Sequence, residues 1–442
     1  MKLFGTDGIR GKAGVAPLDH ETVARVGAAL TREFPTKGLR VVIGRDTRES
    51  GTWIEEELAR GLASGGAKVV SAGVVPTPAI AYLARTEGFD AGIVISASHN
   101  PYEDNGIKVF SGAGAKLPAA FEAEIEHAVA DSSWRVPAGA VPIERRDDLA
   151  AHYLEHLEAI LDDAGPLAGS SIVIDCANGA TSALAPEFFE SLGFEVKAIG
   201  ASPNGRNINL ACGSTHLQGL SREVVESSAR LGMAFDGDGD RVLLVDHRGT
   251  VVDGDAILLM SALHLKSENR LPGEAIVATV MSNLGLELAL RDHGIGMVRT
   301  AVGDKYVMEE MVKRGLALGG EQSGHVIFAE HLFTGDGMAT ALNVLGIMAA
   351  SGRELDELAR ALVTYPQVLV NVRVKEKTDY MRVPAIADIV RRVESSLEGT
   401  GRLLIRYSGT EPLLRIMLEG KDGDTIHAFA DEIAGAVKEH LA

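Results

Sequence analysis

The chain has 442 residues, with 43 Lys plus Arg against 61 Asp plus Glu and a formal net charge of −18. That balance argues against a nucleic-acid or anionic-membrane surface, and 46% hydrophobic with 24% charged residues excludes a disordered chain. The two cysteines, Cys176 and Cys212, form no disulfide framework and no Cys-x-x-Cys metal pair, and no apolar run is long enough to span a bilayer.

In chain order, FGTDGIRG (4–11) is a Gly-rich loop carrying Arg10, in an N-terminal stretch without a signal-type apolar core. The expectation is a soluble cytoplasmic protein. LRVVIG (39–44) reads as a buried strand and TWIEEELARGLASGG (52–66) as a helix ending at a Gly pair. AKVVSAG (67–73), AGIVISA (91–97), SSIVIDCANGA (170–180), FEVKAIG (194–200) and EAIVATV (274–280) repeat the strand pattern, each near a helical one. Such alternation predicts largely parallel sheets with crossover helices, whose ligands sit at the carboxyl ends of strands. A charged helix is expected over 144–163, a hairpin over 241–254 and a helix over 353–363. The last 70 or so residues read strand, helix, strand, turn, strand, helix, an α+β order. The breaks in pattern set expected domains at 1–150, 151–250, 251–370 and 371–442. No strict repeat is visible in the letters.

Four loops carry chemistry-bearing residues. In AGIVISASHNPYEDNGIKVF (91–110), Ser98 follows a buried strand, with His99 beside it and Lys108 beyond. A serine nucleophile needs activation or phosphoryl chemistry; Ser, Asn, Pro and Gly also favour an ordinary turn. In MAFDGDGDRVLLVD (233–246), Asp236, Asp238 and Asp240 alternate with glycines, a spacing that converges carboxylates on one hard cation. Counting from Asp236, Arg241 and His247 occupy the positions where an EF-hand needs Gly and Glu, so that loop is rejected. An acidic turn is the alternative, although three alternating aspartates repel without a cation. In LGGEQSGHVIF (318–328), Glu321, Ser323 and His325 alternate on a Gly-flanked loop and suit vicinal sugar hydroxyls; a simple loop has the same letters. In RLLIRYSGTEPLLRIMLEG (402–420), Arg406, Ser408, Gly409, Thr410 and Arg415 form either a cradle for a phosphate dianion or a plain hairpin. Arg10, Lys108, Arg241, Lys305, Arg406 and Arg415 are the cations that would let an acidic chain hold a phosphorylated substrate.

Phosphoryl transfer uses all four loops, because it needs chiefly positioning and charge neutralisation. The reading is a phosphomutase in which Ser98 is carried as phosphoserine and a bisphosphate turns around between two transfers. The motifs FGTDGIRG, ISASHNPYEDNGIKVF, NINLACGSTH (207–216), DGDGDR, GGEQSGH and RYSGTEPLLRIM together resemble the α-D-phosphohexomutase superfamily, and within it the bacterial phosphoglucosamine mutase branch. The resemblance implies three similar mixed-sheet α/β domains plus a smaller C-terminal α+β domain around a central cleft. It implies interconversion of glucosamine 6-phosphate and glucosamine 1-phosphate through a phosphoserine enzyme and glucosamine 1,6-bisphosphate. It also implies one Mg²⁺ per chain held by Asp236, Asp238, Asp240 and phosphorylated Ser98. Lys108 becomes the general acid/base, with a lowered pKa beside a metal and arginines. His99, Arg10 and Arg241 support the phosphoserine, Glu321, Ser323 and His325 read the sugar, and Arg406, Ser408, Gly409, Thr410 and Arg415 clamp the distal phosphate. Gln322 is one of the few letters bearing on sugar identity, since related phosphomannomutases have Met there. A homodimer is the expectation for assembly, though no letter sets it; nucleic acid and membrane are not expected partners. The alternatives are a phosphomannomutase/phosphoglucomutase on the same scaffold, a metal-dependent sugar phosphatase, and a non-catalytic sugar-phosphate sensor.

Overall fold

The computed structural model describes residues 2–5, 7–34, 38–131, 133–161, 164–408 and 412–442. They form two compact units, Met1–Met281 with Ile295–Ala361, and Ser282–Gly294 with Leu362–Ala442.

The first unit holds three sheets. The first has β1 (Phe4–Gly5), β2 (Gly8–Lys12), β3 (Arg40–Arg45), β4 (Lys68–Val74), β5 (Ala91–Ile95), β6 (Asp104–Ser111) and β7 (Glu144–Arg145), in the order β1-β2-β6-β5-β3-β4-β7. The second has β8 (Ser171–Asp175), β9 (Glu195–Ile199), β10 (Leu231–Phe235), β11 (Val242–Asp246) and β12 (Val251–Val252), in the order β12-β11-β10-β8-β9. The third has β13 (Ala275–Thr279), β14 (Gly296–Thr300), β15 (Leu318–Gly320) and β16 (Val326–Phe328), in the order β14-β13-β15-β16.

One arrangement recurs in all three. Three parallel neighbours, β5-β3-β4, β10-β8-β9 and β15-β13-β14, are flanked by an antiparallel strand, β6, β11 or β16. The sheets are therefore mixed rather than largely parallel. The antiparallel strand follows its neighbour directly through a short loop, which needs no crossover helix. Residues of β5 and β10 are buried throughout, as expected of strands covered on both faces, and this explains their unbroken apolar runs. In the first domain Val41, Ile43, Ile93 and Ile95 pack with Val23, Val26, Leu58 and Leu62 of the helices His20–Glu33 and Gly51–Ser64.

Two helical expectations shorten. Over 144–163, β7 and a turn precede a helix that spans only Leu149–Glu158. The pairs Arg145–Asp147 and Arg146–Asp148 hold that turn by i,i+2 contacts, which a helix does not bring face to face. Over 353–363 the helix is Leu355–Ala359, opened by a capping box between Glu354 and Glu357.

The second unit carries β17 (Gln367–Arg373), β18 (Gly401–Tyr407) and β19 (Leu413–Gly420) as an antiparallel sheet of order β17-β19-β18. Helices Pro384–Leu397 and Gly423–Leu441 bury Ile386, Val390, Ile426 and Ile433 against Leu414 and Ile416.

Candidate active site

The recurring arrangement places the chemistry. In each α/β domain the loop that leaves the third parallel strand for the antiparallel one carries the candidate residues: 96–103 with Ser98 and His99, 236–241 with the aspartates and Arg241, and 321–325 with Glu321, Ser323 and His325. These loops start at carboxyl strand ends, where α/β sheets present ligands.

Ser98 is buried, with φ 53, in the left-handed region. For a non-glycine residue that conformation costs roughly 1–2 kcal/mol, so the surroundings must impose it. Its Oγ donates to Asp236 Oδ2 at 2.5 Å and lies 3.3 Å from His99 Nδ1.

The aspartate loop closes on itself through Arg241 N–H donating to Asp236 Oδ1 at 3.2 Å. Gly239 takes φ 70, and a Cβ on Gly237 would stand 2.5 Å from the Ser98 carbonyl oxygen, so both glycines are required by the backbone path. Oxygens of Asp236, Asp238 and Asp240 lie within 4.8 Å of one another, and all three residues are buried. Asp238 Oδ1 and Asp240 Oδ1 have no hydrogen-bond partner among the described residues. Converging hard oxygens with buried, unfilled lone pairs fit a divalent cation such as Mg²⁺. Thr77 Oγ1 donates to Asp238 Oδ2 at 2.6 Å and fixes that carboxylate.

Lys108, on β6, partly meets the charge. Its ammonium is 2.8 Å from Asp238 Oδ2, 3.0 Å from Asp240 Oδ2 and 2.9 Å from Asp7 Oδ2. Burial pulls its pKa down, but Asp238, Asp240 and Asp7 hold it well above the ordinary lysine range. From the side chains alone the three carboxylates outweigh Arg10; the lowered value expected from sequence belongs to a site that also holds a divalent cation. Burial opposes ionisation of Asp240 too, yet Lys108 and then His325 hold it well below the usual carboxylate range. Asp236 moves the other way: burial, then Asp240 and Asp238, push it well up.

A cavity of about 350 Å³ opens beside these groups. Arg10 and Arg241 line it as cations, Asp7, Asp240, Asp304 and Glu321 as anions, and His99 and His325 as imidazoles. Burial, Arg241 and Arg10 push His99 down to about 4, so its ring is neutral near pH 7. His325 Nε2 accepts from Gly335 N–H at 3.0 Å, which leaves its proton on Nδ1, 3.7 Å from Asp240 Oδ1. Glu321 Oε1 accepts from Gly303 N–H at 3.0 Å, and Ser323 Oγ lies 3.4 Å from Glu321 Oε2.

Two residues named from sequence are held by neighbours in the fold. Lys305 is paired with Glu122 at 2.8 Å and does not line the cavity. Gln322 donates to Asp253 Oδ2 at 3.1 Å, the residue capping helix Gly254–Ser267. Other residues were missed. Asp7 lies inside the quoted FGTDGIRG motif, yet it joins Arg10 at 2.6 Å, Lys108 at 2.9 Å and Lys116 at 2.6 Å. Burial alone would raise Asp7; Lys108, Lys116 and Arg10 hold it well below the usual range. Lys116 also pairs with Asp304.

In the second unit, Arg406 and Arg415 are direct cross-strand partners on β18 and β19. Directly opposed like charges on one sheet face disfavour each other and suit a bound anion. Burial, and then Arg415, lower the pKa of Arg406. Ser408 N–H donates to Leu413 O at 2.8 Å, and the Ser408 carbonyl accepts from Lys377 Nζ at 2.7 Å. Gly409 and Thr410 lie outside the described residues.

Against known families, residues 1–135, 151–249, 253–365 and 369–436 match the four domain models of phosphoglucomutase/phosphomannomutase: α/β/α domains I, II and III and the C-terminal domain. The chain belongs to the phosphoglucomutase/phosphomannomutase family. It is therefore an enzyme of the isomerase class, with three similar α/β domains and a smaller C-terminal one. A phosphoglucosamine mutase of Solibacter usitatus (strain Ellin6076) is 51% identical over 99% of both chains. A phosphoglucosamine mutase of Geobacter sp. (strain M21) is 50% identical, covering 100% of this chain and 98% of that one. Among solved structures, a phosphoglucomutase/phosphomannomutase family protein from Burkholderia thailandensis superposes with a TM-score of 0.80 at 26% identity, over 98% of this chain and 97% of that one. Among the described residues no helix is long and apolar enough to cross a membrane.

Proposed function

We propose that this chain interconverts glucosamine 6-phosphate and glucosamine 1-phosphate, with Ser98 carried as phosphoserine and glucosamine 1,6-bisphosphate as the intermediate. The observation that carries the reading is the 2.5 Å bond from Ser98 Oγ to Asp236 Oδ2, on a loop whose other two aspartates meet Lys108. The choice of glucosamine is supported by relatives of that name, about half identical from end to end. Asp236, Asp238 and Asp240, with an oxygen of phosphorylated Ser98, would hold one Mg²⁺ per chain. When bound, it neutralises charge on the phosphoryl oxygens.

In the first half-reaction the phosphorus–Oγ bond of Ser98 breaks while a phosphorus–oxygen bond forms to the C1 hydroxyl of glucosamine 6-phosphate. The sugar hydroxyl loses one proton and Ser98 Oγ gains one. Lys108, held as the ammonium, hands over a proton and is refilled, so no net proton is exchanged. The bisphosphate then turns, and its C6 phosphoryl group returns to Ser98 by the reverse path. Arg10 and Arg241 supply positive potential in the cavity, and neutral His99 orients beside Oγ. Glu321, Ser323 and His325 read the sugar; Arg406, Ser408, Gly409, Thr410 and Arg415 hold the phosphate that is not reacting. We assign the enzyme to the cytoplasm and expect a homodimer, which light scattering decides.

Activity on mannose or glucose phosphates is the second reading, favoured by the family's own description and by the Burkholderia structure. Rates on glucosamine, mannose and glucose 6-phosphates, measured side by side with a Ser98→Ala control, separate the readings. The proposal expects glucosamine 6-phosphate to be fastest and the control inactive. A preference for mannose or glucose, or turnover by the control, contradicts it.

A further inference from the structure

The backbone of Ser98 is held by two side chains outside the loops that carry the chemistry. Arg48 follows β3 and is fully buried. A guanidinium has five N–H donors, and all of those of Arg48 are engaged. Nε donates to Asp46 Oδ2 at 2.9 Å, Nη2 to the carbonyls of Ser98 at 2.9 Å and Asn100 at 2.8 Å, and Nη1 to those of Asp104 at 2.9 Å and Pro101. Asn209 comes from the second α/β domain, in the NINLACGSTH segment. Its Nδ2 donates to the same two carbonyls, Ser98 at 2.8 Å and Asn100 at 3.1 Å. Beneath them, Asp46 Oδ2 accepts from Ser96 Oγ at 2.6 Å, and Ser96 Oγ accepts from Ser98 N–H at 2.9 Å.

Both faces of the Ser98 peptide environment are thus tied down, one from its own domain and one from the domain that carries the aspartates. The aspartate loop rests on the same clamp, since a Cβ on Gly237 would lie 2.5 Å from Ser98 O and 2.8 Å from Asn209 Nδ2. Lysine at 48 would offer three donors on a flexible stem where five fixed ones are used.

We infer that Arg48 and Asn209 are positioning residues that impose the left-handed turn at Ser98 and so set the distance and direction of its Oγ relative to Asp236. The inference rests on the phosphoserine reading. Misplacing a reacting group by an ångström can lower a rate on the order of a hundredfold without altering how substrate binds elsewhere. A loosened phosphoserine also meets water as well as sugar, so phosphoryl transfer leaks to hydrolysis.

The test uses the full chain, phosphorylated at Ser98 and checked by intact mass, as wild type, Asn209→Ala and Arg48→Lys. The readouts are kcat, KM for glucosamine 6-phosphate, and the fraction of phosphoryl groups released as inorganic phosphate. For Asn209→Ala the expected result is a kcat roughly 10- to 100-fold lower, KM within about twofold, and a rise of about tenfold in the fraction lost to water. A melting temperature that falls while kcat and the hydrolysed fraction keep their wild-type values would assign Asn209 to stability alone and overturn the inference. If Arg48→Lys does not fold, Asn209→Ala decides by itself. A Ser98→Ala control with wild-type turnover would instead remove the phosphoserine reading, and with it any reason for a clamp.

Discussion

Lys108→Met isolates the electrostatics of the candidate site. The side chains are of similar length, but the substitution removes an ammonium that lies within 3.0 Å of Asp7, Asp238 and Asp240. Breaking a buried ion pair from one side costs about 3–5 kcal/mol. An independent bound agrees: the variant can relieve the repulsion by binding one proton, and protonating an ordinary aspartate at pH 7 costs about 4 kcal/mol. For a unit this large, that is a fall in melting temperature of roughly 6–10 °C at about 2 °C per kcal/mol. The sign with pH follows. A carboxyl in the variant has a folded pKa raised above its unfolded value, so the loss is absent at low pH and grows by about 1.4 kcal/mol per unit as pH rises from about 4 toward 7. A divalent cation competes with the ammonium in wild type but not in the variant, so Mg²⁺ narrows the gap. The assay is thermal melting of both proteins at pH 5 and pH 7, in chelator and in millimolar Mg²⁺. Equal gaps under all four conditions, or no gap, would refute the reasoning.

Three further outcomes are expected. Asp238→Ala lowers kcat on the order of 10²–10³-fold while substrate still binds, measured by steady-state kinetics and substrate titration; unchanged turnover contradicts the metal assignment. Arg415→Ala raises KM roughly 10- to 100-fold with a smaller effect on kcat, as loss of a charge-assisted bond to phosphate requires, and a kcat loss with KM untouched opposes a clamp. His156, stacked on Tyr82 with ring centroids 4.4 Å apart, is pushed down to about 4 by burial and then by His331 and Arg85. It stays neutral when folded while the unfolded chain protonates, so stability is lost as pH falls from about 6.5 to 4. His156→Gln flattens the melting profile across that window, and an unchanged slope speaks against it.

The loops that carry chemistry were legible because each joins a buried apolar strand to a short run of glycines and polar letters, as in AGIVISASHN and MAFDGDGD. The threefold recurrence behind them was not, because what repeats is strand order and direction while the side chains on the loops differ: a serine, three aspartates, a glutamate. Contacts between distant segments were equally hidden. Asp7, Lys116 and Asp304 stand far apart in the chain, and only folding joins the two carboxylates through the Lys116 ammonium. The grip of Arg48 and Asn209 on the Ser98 loop was hidden too, because it is made to backbone carbonyls, and a carbonyl has no letter. The three carboxylates that meet the Lys108 ammonium were hidden in the same way, because Asp7, Asp238 and Asp240 stand far from it in the chain. The helix expected over 144–163 was overextended because two arginines followed by two aspartates, Arg145 to Asp148, suit a turn held by i,i+2 pairs as well as a helix.

The central claim is that Ser98 accepts and returns a phosphoryl group. Intact-mass measurement before and after incubation with glucosamine 1,6-bisphosphate and Mg²⁺, with peptide mapping, tests it directly. The account predicts one added phosphoryl group, mapped to Ser98, lost again on adding excess glucosamine 6-phosphate and absent from Ser98→Ala. A protein that turns over substrate with Ser98 unmodified throughout, or with the group on another residue, would contradict it.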